Sequence, residues 1–217
     1  MNKNKFKNEY LASLYGHTWD ERLSRTFPRL KKPHIYKEWD SYHKNKSEIE
    51  VNASDKDRIW FCSDHHFIHR NIIKYANRPY DNPDQMNHDM MHKHNSVVGE
   101  DDIVFMLGDI GMGYTGLVNE FLDKMNGYKI LIIGNHDWEK GYKLKNYHVD
   151  EMYVSYYLDW AGIMMTHAPF DSYIPFAEQF LNAHGHIHNK IVPSEQYRNV
   201  CVEHTNYTPI SYNDLVK

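Results

Sequence analysis

Seven short apolar runs, each bounded by glycine or polar residues, recur along the chain after its N-terminal quarter. They cover residues 59–63, 103–107, 129–133, 152–157, 162–166, 181–184 and 199–203. Continuous apolar runs of this length are typical of strands that are buried on both faces. The pattern therefore predicts a strand at each of these positions.

Longer stretches with helical periodicity lie between the early runs and predict helices at 84–98 and 115–125. Thr115 is the expected N-cap of the second helix. Leu117, Phe121 and Met125 form an apolar stripe at i, i+4 and i+8, which we expect to face the core. Strands thus alternate with helices at first and dominate later, which predicts an α/β domain.

Composition indicates a globular chain, with 41% hydrophobic and 14% aromatic residues among 217. No apolar run approaches the ~20 residues of a membrane span, and the polar N-terminus has no apolar core of a signal peptide. We therefore expect a cytoplasmic protein without membrane contact. Cys62 and Cys201 fall within strand candidates, so we expect buried free thiols and no disulfide.

Charge divides the chain into a basic leading segment and an acidic body. Residues 1–50 carry 11 Lys and Arg against 7 Asp and Glu, whereas the remainder carries 14 against 22. We expect residues 1–56 to be a basic, aromatic-containing N-terminal extension and residues 57–217 to be the main domain. The extension either meets a phosphate-bearing substrate or nucleic acid or is only a solvated tail.

Five short motifs carry metal-binding side chains, and most of them follow a strand candidate. In chain order they are Asp64-His65-His66, Gly108-Asp109, Gly134-Asn135-His136-Asp137, Thr166-His167 and Gly185-His186-Ile187-His188. Each motif alone is more often a turn or a surface pair than a ligand. Together they supply the carboxylate, imidazole and amide groups that two divalent ions sharing one carboxylate require. We therefore predict a two-metal site.

A two-residue spacing recurs within these motifs. A strand places alternate side chains on one face, so we expect Asp64 and His66 to face the same ion. His186 and His188 have the same spacing and are expected to reach one cluster. A glycine directly precedes two other candidate ligands, at positions where a larger side chain would crowd the metal.

The five motifs, together with the stretch Trp60-Phe61-Cys62-Ser63-Asp64-His65-His66-Phe67-Ile68-His69-Arg70-Asn71-Ile72-Ile73, resemble the calcineurin-like metallophosphoesterases. The resemblance is to the small single-domain bacterial and viral members. It implies an α/β fold of two packed mixed β-sheets flanked by helices, the four-layer sandwich of that superfamily. It also implies the metal ligands, which would be Asp64, His66 and His188 for one ion, Asn135, His167 and His186 for the other, and Asp109 as the bridge.

The same resemblance implies roles around the metals. His136 would face the substrate as a catalytic group without binding metal. Asp137 is a candidate catalytic residue that either orients an imidazole or simply forms a turn. Asn135, His136, His69 and Arg78 are the candidate substrate-binding residues, although a surface histidine and a solvated arginine are the alternatives for the last two.

The function implied is hydrolysis of a nucleotide-like or other small phosphodiester by a metal-bridging hydroxide, with Mn²⁺ favoured over Fe, Zn²⁺, Co²⁺ or Ni²⁺. The second motif continues as Ile110-Gly111-Met112-Gly113 and lacks the Asp-Arg pair of protein Ser/Thr phosphatases. The alternatives are a phosphomonoesterase or nuclease with the same site, or a non-catalytic nucleic-acid-binding module. The natural substrate and the oligomeric state stay open.

A different histidine pattern, His88-Asp89-Met90-Met91-His92, resembles the helical zinc-protease motif H-E-x-x-H. Aspartate in place of glutamate would hold a general base about a methylene further from its water, and no third ligand is indicated nearby. We therefore expect a polar helix face and not a protease site.

Overall fold

The computed structural model describes residues 49–139, 144–169 and 180–217. The predicted N-terminal extension lies largely outside these residues, so its role and its boundary at residue 56 stay predictions. No helix among the described residues is long and apolar enough to cross a membrane.

A five-stranded sheet forms one half of the described domain. Its strands are β1 (Ile59–Cys62), β2 (Ile103–Met106), β3 (Tyr128–Ile132), β4 (Glu151–Tyr153) and β9 (Ile210–Ser211). They are arranged in the order β4-β3-β2-β1-β9, with β9 antiparallel to β1 and the other pairs parallel. All four residues of β2 are buried, as the continuous apolar run predicts for a central strand.

A four-stranded sheet forms the other half. Its strands are β5 (Ser155–Leu158), β6 (Ile163–Thr166), β7 (Leu181–His184) and β8 (Tyr197–Asn199), in that order, with only the β5–β6 pair antiparallel. The two sheets contact each other where the rings of Phe105 and Tyr156 lie 5.1 Å apart. The structure thus confirms the predicted α/β fold with two packed mixed sheets and flanking helices.

Four α-helices lie in the described part of the chain. They are α1 (Arg70–Tyr75), α2 (Pro83–Val97), α3 (Thr115–Leu122) and α4 (Tyr212–Leu215), and a short 3-10 helix at Ala53–Arg58 precedes β1. Helix α2 begins at Pro83 because the Asn82 side chain accepts the Gln85 backbone N–H at 2.9 Å. His88 and His92 are exposed on α2, as expected for a polar helix face.

The details of α3 differ from the prediction. The N-cap is Tyr114, not Thr115, and Leu117 is 42% exposed although the stripe placed it in the core. Val118 and Leu122 are buried instead. A Cβ on Gly111 would collide with the Val118 side chain, so α3 packs closely against this glycine. This contact places the side of α3 that carries Val118 and Leu122 toward the core, in place of the side that carries Leu117.

The strand boundaries near the C-terminus also differ. The predicted strand at 152–157 is divided into β4 and β5, which belong to different sheets. The predicted strand at 199–203 is wrong, because β8 ends at Asn199 and Cys201 makes only an isolated bridge with Ser63. Beyond Asn199 the chain passes from one sheet to the other, so its apolar residues there are buried without continuous strand pairing. Cys62 and Cys201 are both free and buried, as predicted.

Candidate metal centre

The five sequence motifs meet at one edge of the two sheets. They follow the carboxyl ends of β1, β2, β3, β6 and β7, respectively. Neighbouring parallel strands end at the same edge, so residues more than a hundred positions apart are brought together there. The Asp64 carboxylate, for example, accepts the backbone N–H of His186 at 2.8 Å.

Left-handed backbone conformation orients most of the candidate ligands. Five of the seven have positive φ angles: Asp64 (59°), His66 (51°), Asp109 (54°), His186 (69°) and His188 (47°). Non-glycine residues seldom adopt this region, and clusters of them are found at functional sites. The expectation that a strand aligns Asp64 with His66 is therefore wrong, because both lie beyond the end of β1 and have positive φ angles.

One group of ligand atoms surrounds the Asp64 carboxylate. Asp64 Oδ1 lies 3.7 Å from His66 Nε2 and 3.8 Å from His188 Nε2. Asp64 Oδ1 and His66 Nε2 are both buried without a hydrogen-bond partner in the described structure. Buried polar atoms that face one another without partners are costly unless a ligand pairs with them. A divalent cation is the ligand that fits an oxygen and two imidazole nitrogens.

A second group surrounds His167. Its Nε2 atom lies 3.5 Å from Asp109 Oδ2 and 2.9 Å from Asn135 Oδ1. Ligand atoms of Asp109, His167 and His186 all lie within 4.8 Å of one another. Asp109 Oδ2 is also 3.7 Å from His66 Nε2, so one carboxylate belongs to both groups. This placement fits the predicted bridging role.

Charge around the cluster favours ionised carboxylates. Burial works to raise the pKa of Asp64, but the surrounding histidines, His66 foremost, outweigh it and hold this pKa well below its usual range. The pKa of Asp109 is about 2, because His167 and its hydrogen bond overcome the effect of burial. Two buried carboxylates that stay ionised among imidazoles supply the negative charge that a pair of divalent ions needs.

Glycines keep the cluster open. Gly108 has a φ of +93°, and a Cβ there would approach His167 Nδ1 to 2.5 Å. A Cβ on Gly134 would collide with the Asp109 carboxylate, and one on Gly185 would collide with the Asp64 carboxylate. The expectation that a side chain at these positions would crowd the ligands is confirmed for Gly108 and Gly134.

His136 lies at the rim of the cluster. Its side chain is 42% exposed, and its Nε2 is 4.0 Å from Asp109 Oδ2. Its backbone N–H donates to Asp109 Oδ1 at 2.7 Å, and its carbonyl accepts from Lys145 Nζ at 2.6 Å. The backbone is thus fixed and the partly exposed imidazole lies at the edge of the cluster, a placement that fits the predicted substrate-facing role.

Asp137 holds the ligand loops together. Its buried carboxylate accepts backbone N–H groups from Gly134 at 2.7 Å, Asp109 at 2.9 Å and Ile110 at 3.0 Å. These contacts join the loop after β3 to the loop after β2. Of the two roles that the sequence allowed, these contacts agree with loop formation.

Arg78 is not available for a phosphate group, contrary to the prediction. Its guanidinium is buried, and all five N–H groups have partners: Nε and Nη2 donate to Glu203, Nη2 to the Asp64 carbonyl, and Nη1 to the His65 carbonyl and Met86 Sδ. His69 is half-buried, with its Nδ1 3.4 Å from His66 Nδ1. It therefore lies beside the cluster, and its predicted contact with substrate stays a prediction.

Three further residues that contact the cluster were not found from the sequence. Ser63 Oγ donates to Asp64 Oδ2 at 2.5 Å, and Cys201 Sγ lies 3.2 Å from the same oxygen. Glu203 Oε1 lies 3.1 Å from His188 Nδ1. Ser63 adjoins a motif, but no local pattern distinguishes Glu203, which the fold brings in from a distant part of the chain.

Comparisons with known proteins agree with the fold and the cluster. A sequence model of the calcineurin-like phosphoesterase family matches residues 57–214. The uncharacterized protein MJ1445 of Methanocaldococcus jannaschii is 36% identical over 170 residues, which cover 74% of this chain and 90% of that protein. The gene 66 protein of Mycobacterium phage L5 is 37% identical over 81 residues, which cover 36% of this chain and 39% of that protein.

A solved structure has a similar fold. The crystal structure of AQ665, a protein of unknown function from Aquifex aeolicus, superimposes with a TM-score of 0.57 at 27% identity. The match covers 71% of this chain and 95% of that one. The family match spans most of the chain and includes every residue of the cluster. The chain therefore belongs to the calcineurin-like phosphoesterase family, a membership that supports metal-dependent hydrolysis of phosphoesters.

Proposed function

We propose that this protein is a two-metal phosphodiesterase that acts on a nucleotide-like or other small phosphodiester. One observation carries the proposal: the Asp109 carboxylate lies between His66 and His167, with Oδ2 3.7 Å and 3.5 Å from their Nε2 atoms. A carboxylate shared by two ligand groups is what a pair of adjacent divalent ions requires. Nitrogen and oxygen ligands in this mixture suit Mn²⁺, which we propose as the resident metal.

Two bound ions would act as Lewis acids on the phosphoryl oxygens and would lower the pKa of a coordinated water. The chain itself provides the orientation. Asp64 and Asp109 hold their carboxylates in fixed positions through backbone N–H donors from His186 and His136. Because these donors are already in place, the site needs little reorganisation when substrate charge develops.

His136 is the proposed substrate-facing catalytic group. Burial of part of the ring lowers its pKa, so the imidazole is neutral near pH 7 and has one N–H to donate. Its fixed backbone holds the partly exposed imidazole at the edge of the cluster, within reach of a phosphoryl group that the metals would bind. A hydrogen bond to a phosphoryl oxygen or to the leaving oxygen would stabilise the charge that forms there.

An exposed aromatic residue supports a substrate that carries a base. Tyr75 is 76% exposed at the C-terminal end of α1, and its ring lies 6.4 Å from that of His69. His69 in turn lies 5.3 Å, ring to ring, from His66. Burial, together with His66, lowers the pKa of His69 to about 4, so the His69 ring between Tyr75 and the cluster is uncharged at neutral pH. A planar base could stack on Tyr75 while its phosphate reaches the cluster.

The proposal is tested by hydrolysis of bis-p-nitrophenyl phosphate by metal-stripped protein to which Mn²⁺ is returned. We expect turnover that requires metal and that falls at least about 10³-fold in Asp109→Asn. The exposed Asp101→Asn serves as the matched control and should keep full activity. Turnover of p-nitrophenyl phosphate alone would indicate a phosphomonoesterase, and preferential cleavage of single-stranded DNA would indicate a nuclease. Metal binding without turnover of any of these would contradict the proposal.

A further inference from the structure

We propose that Glu203 and Arg78 are positioning residues that set the metal affinity of one ion site, the site formed by Asp64, His66 and His188. The inference rests on the proposed two-ion centre and adds a determinant to it. Neither residue lies in the five metal-binding motifs, and neither is directed at substrate.

Glu203 fixes the ring of His188. Its side chain is 3% exposed, and Oε1 lies 3.1 Å from His188 Nδ1. A carboxylate can only accept, so Nδ1 carries a proton and Nε2 is the ring nitrogen left to bind a metal ion. Nε2 is the atom 3.8 Å from Asp64 Oδ1. Carboxylates that select the tautomer of a metal-binding histidine in this way commonly strengthen metal binding.

Arg78 fixes Glu203 and the Asp64 turn together. Its Nε and Nη2 atoms lie 2.9 Å and 2.7 Å from Glu203 Oε1. Nη2 also donates to the Asp64 carbonyl at 2.6 Å, and Nη1 donates to the His65 carbonyl at 2.7 Å. One planar guanidinium therefore holds the carboxylate that orients His188 and the left-handed backbone that orients Asp64.

The contacts are confined to one of the two ion sites. His167, in the other group, is oriented by the Leu107 carbonyl at 2.7 Å from its Nδ1. No contact joins Arg78 or Glu203 to Asn135, His167 or His186 among the hydrogen bonds and ion pairs of the described residues. Loss of the Glu203–Arg78 pair should therefore lower the affinity for one metal ion and leave the affinity for the other nearly unchanged. A purely structural ion pair would lower folding stability without this asymmetry.

The experiment measures Mn²⁺ binding to the full-length chain by calorimetry, with the electron paramagnetic resonance spectrum as a second readout. We expect two ions in the wild type and, in Glu203→Ala, an affinity about 10- to 100-fold lower for one ion only. The spectrum should change from a coupled pair to a single Mn²⁺. Glu203→Gln should restore most of the affinity, because its amide oxygen can still accept the His188 N–H.

Glu151→Ala is the matched control. Glu151 is also a buried carboxylate, but it accepts hydrogen bonds from Tyr128 and Tyr153 at β4. Its removal should lower stability and leave both Mn²⁺ affinities unchanged. If Glu203→Ala does not fold, Arg78→Lys takes its place, because lysine keeps the buried charge but cannot hold both partners.

Unchanged affinities in the Glu203 and Arg78 variants, or equal losses at both ions, would overturn the inference. Fewer than two ions in the wild type would overturn it together with the two-metal proposal. Binding does not depend on turnover, so a wild type that binds two ions but hydrolyses nothing would contradict only the proposed function.

Discussion

His167 and Asp109 face each other inside the candidate centre, with His167 Nε2 3.5 Å from Asp109 Oδ2. The other ring nitrogen, Nδ1, lies 2.7 Å from the Leu107 carbonyl and must therefore carry a proton. Burial alone would lower the pKa of His167, but the Asp109 carboxylate reverses this effect and raises the pKa to about 10. At neutral pH the metal-free protein thus holds a proton on Nε2, at the position of a predicted metal ligand.

Metal binding should therefore release about one proton from His167 at pH 7–8. The Mn²⁺ affinity should rise with pH, because fewer protons compete as the pH approaches 10. Calorimetry in two buffers of different ionisation enthalpy measures this release directly. His167→Gln is the control, since it removes the competing proton. A binding enthalpy that is the same in both buffers would contradict the prediction.

The raised pKa of His167 also affects the folding stability of the metal-free protein. The folded pKa of His167 is raised above its ordinary value of 6.5, so the protonated ring stabilises the fold. This contribution is fully present below pH 6.5 and is lost as the pH rises toward about 10. The melting temperature of wild type should fall over this range by more than that of His167→Gln. Parallel pH profiles for the two proteins would count against the assignment.

His136→Ala should lower turnover of bis-p-nitrophenyl phosphate by about 10²- to 10⁴-fold, the usual contribution of a group that transfers or donates a proton. Metal content should stay near wild type, because His136 is 42% exposed at the edge of the cluster and is not one of the seven candidate ligands. Elemental analysis of the purified variant measures its metal content. His92→Ala, an exposed histidine on α2, should change neither quantity. Parallel loss of metal would show that His136 is a ligand.

The sequence indicated which residues gather at the candidate metal centre, but not the backbone conformation that orients them. Apolar runs that end at a motif indicate where a buried strand stops, and parallel strands then bring those ends together. Asp109 and Asn135 lie just beyond the ends of β2 and β3 for that reason. The positive φ angles of Asp64 and His66 have no such local signal, and the Asp64 carbonyl is held by Arg78, 14 positions further along the chain.

Long-range partners explain the main error in the substrate-binding residues. An arginine before a proline was interpreted as a phosphate contact, yet the fold encloses Arg78 with Glu203, 125 positions away. Sequence spacing carries no information about such a pair. The burial of Leu117 was predicted wrongly for a related reason. Gly111, against which α3 packs, determines that Val118 and Leu122 face the core instead.

Asp137→Ala should destabilise the metal-free protein by about 3 kcal/mol or more, because three buried N–H donors would lose their acceptor. The substitution should also lower the affinity for both metal ions, since the loops that carry Asp109 and Asn135 are joined through this carboxylate. Urea unfolding and Mn²⁺ calorimetry measure the two effects. Asp101→Ala, an exposed aspartate, is the control. Wild-type stability with lost turnover would instead favour a direct catalytic role for Asp137.

Tyr75→Ala should change substrate preference and leave the metal centre intact. Two diesters with the same leaving group, thymidine 5′-p-nitrophenyl phosphate and methyl p-nitrophenyl phosphate, differ in whether a base is present. If a base stacks on the exposed ring, KM for the thymidine ester should rise about 5- to 100-fold in the variant. KM for the methyl ester should not change, and kcat for both should stay within about twofold.

Tyr75→Phe keeps the aromatic ring and should behave like the wild type toward both esters. Comparison of the two variants separates loss of stacking from damage to α1. The end of that helix is also held independently of Tyr75, because the Asn189 side chain donates to the Ala76 carbonyl at 2.7 Å. Equal losses for both esters in Tyr75→Ala would indicate displacement of His69 and not a base-binding surface. An unchanged KM for the thymidine ester would remove the structural support for a nucleotide-like substrate while leaving the two-metal chemistry untouched.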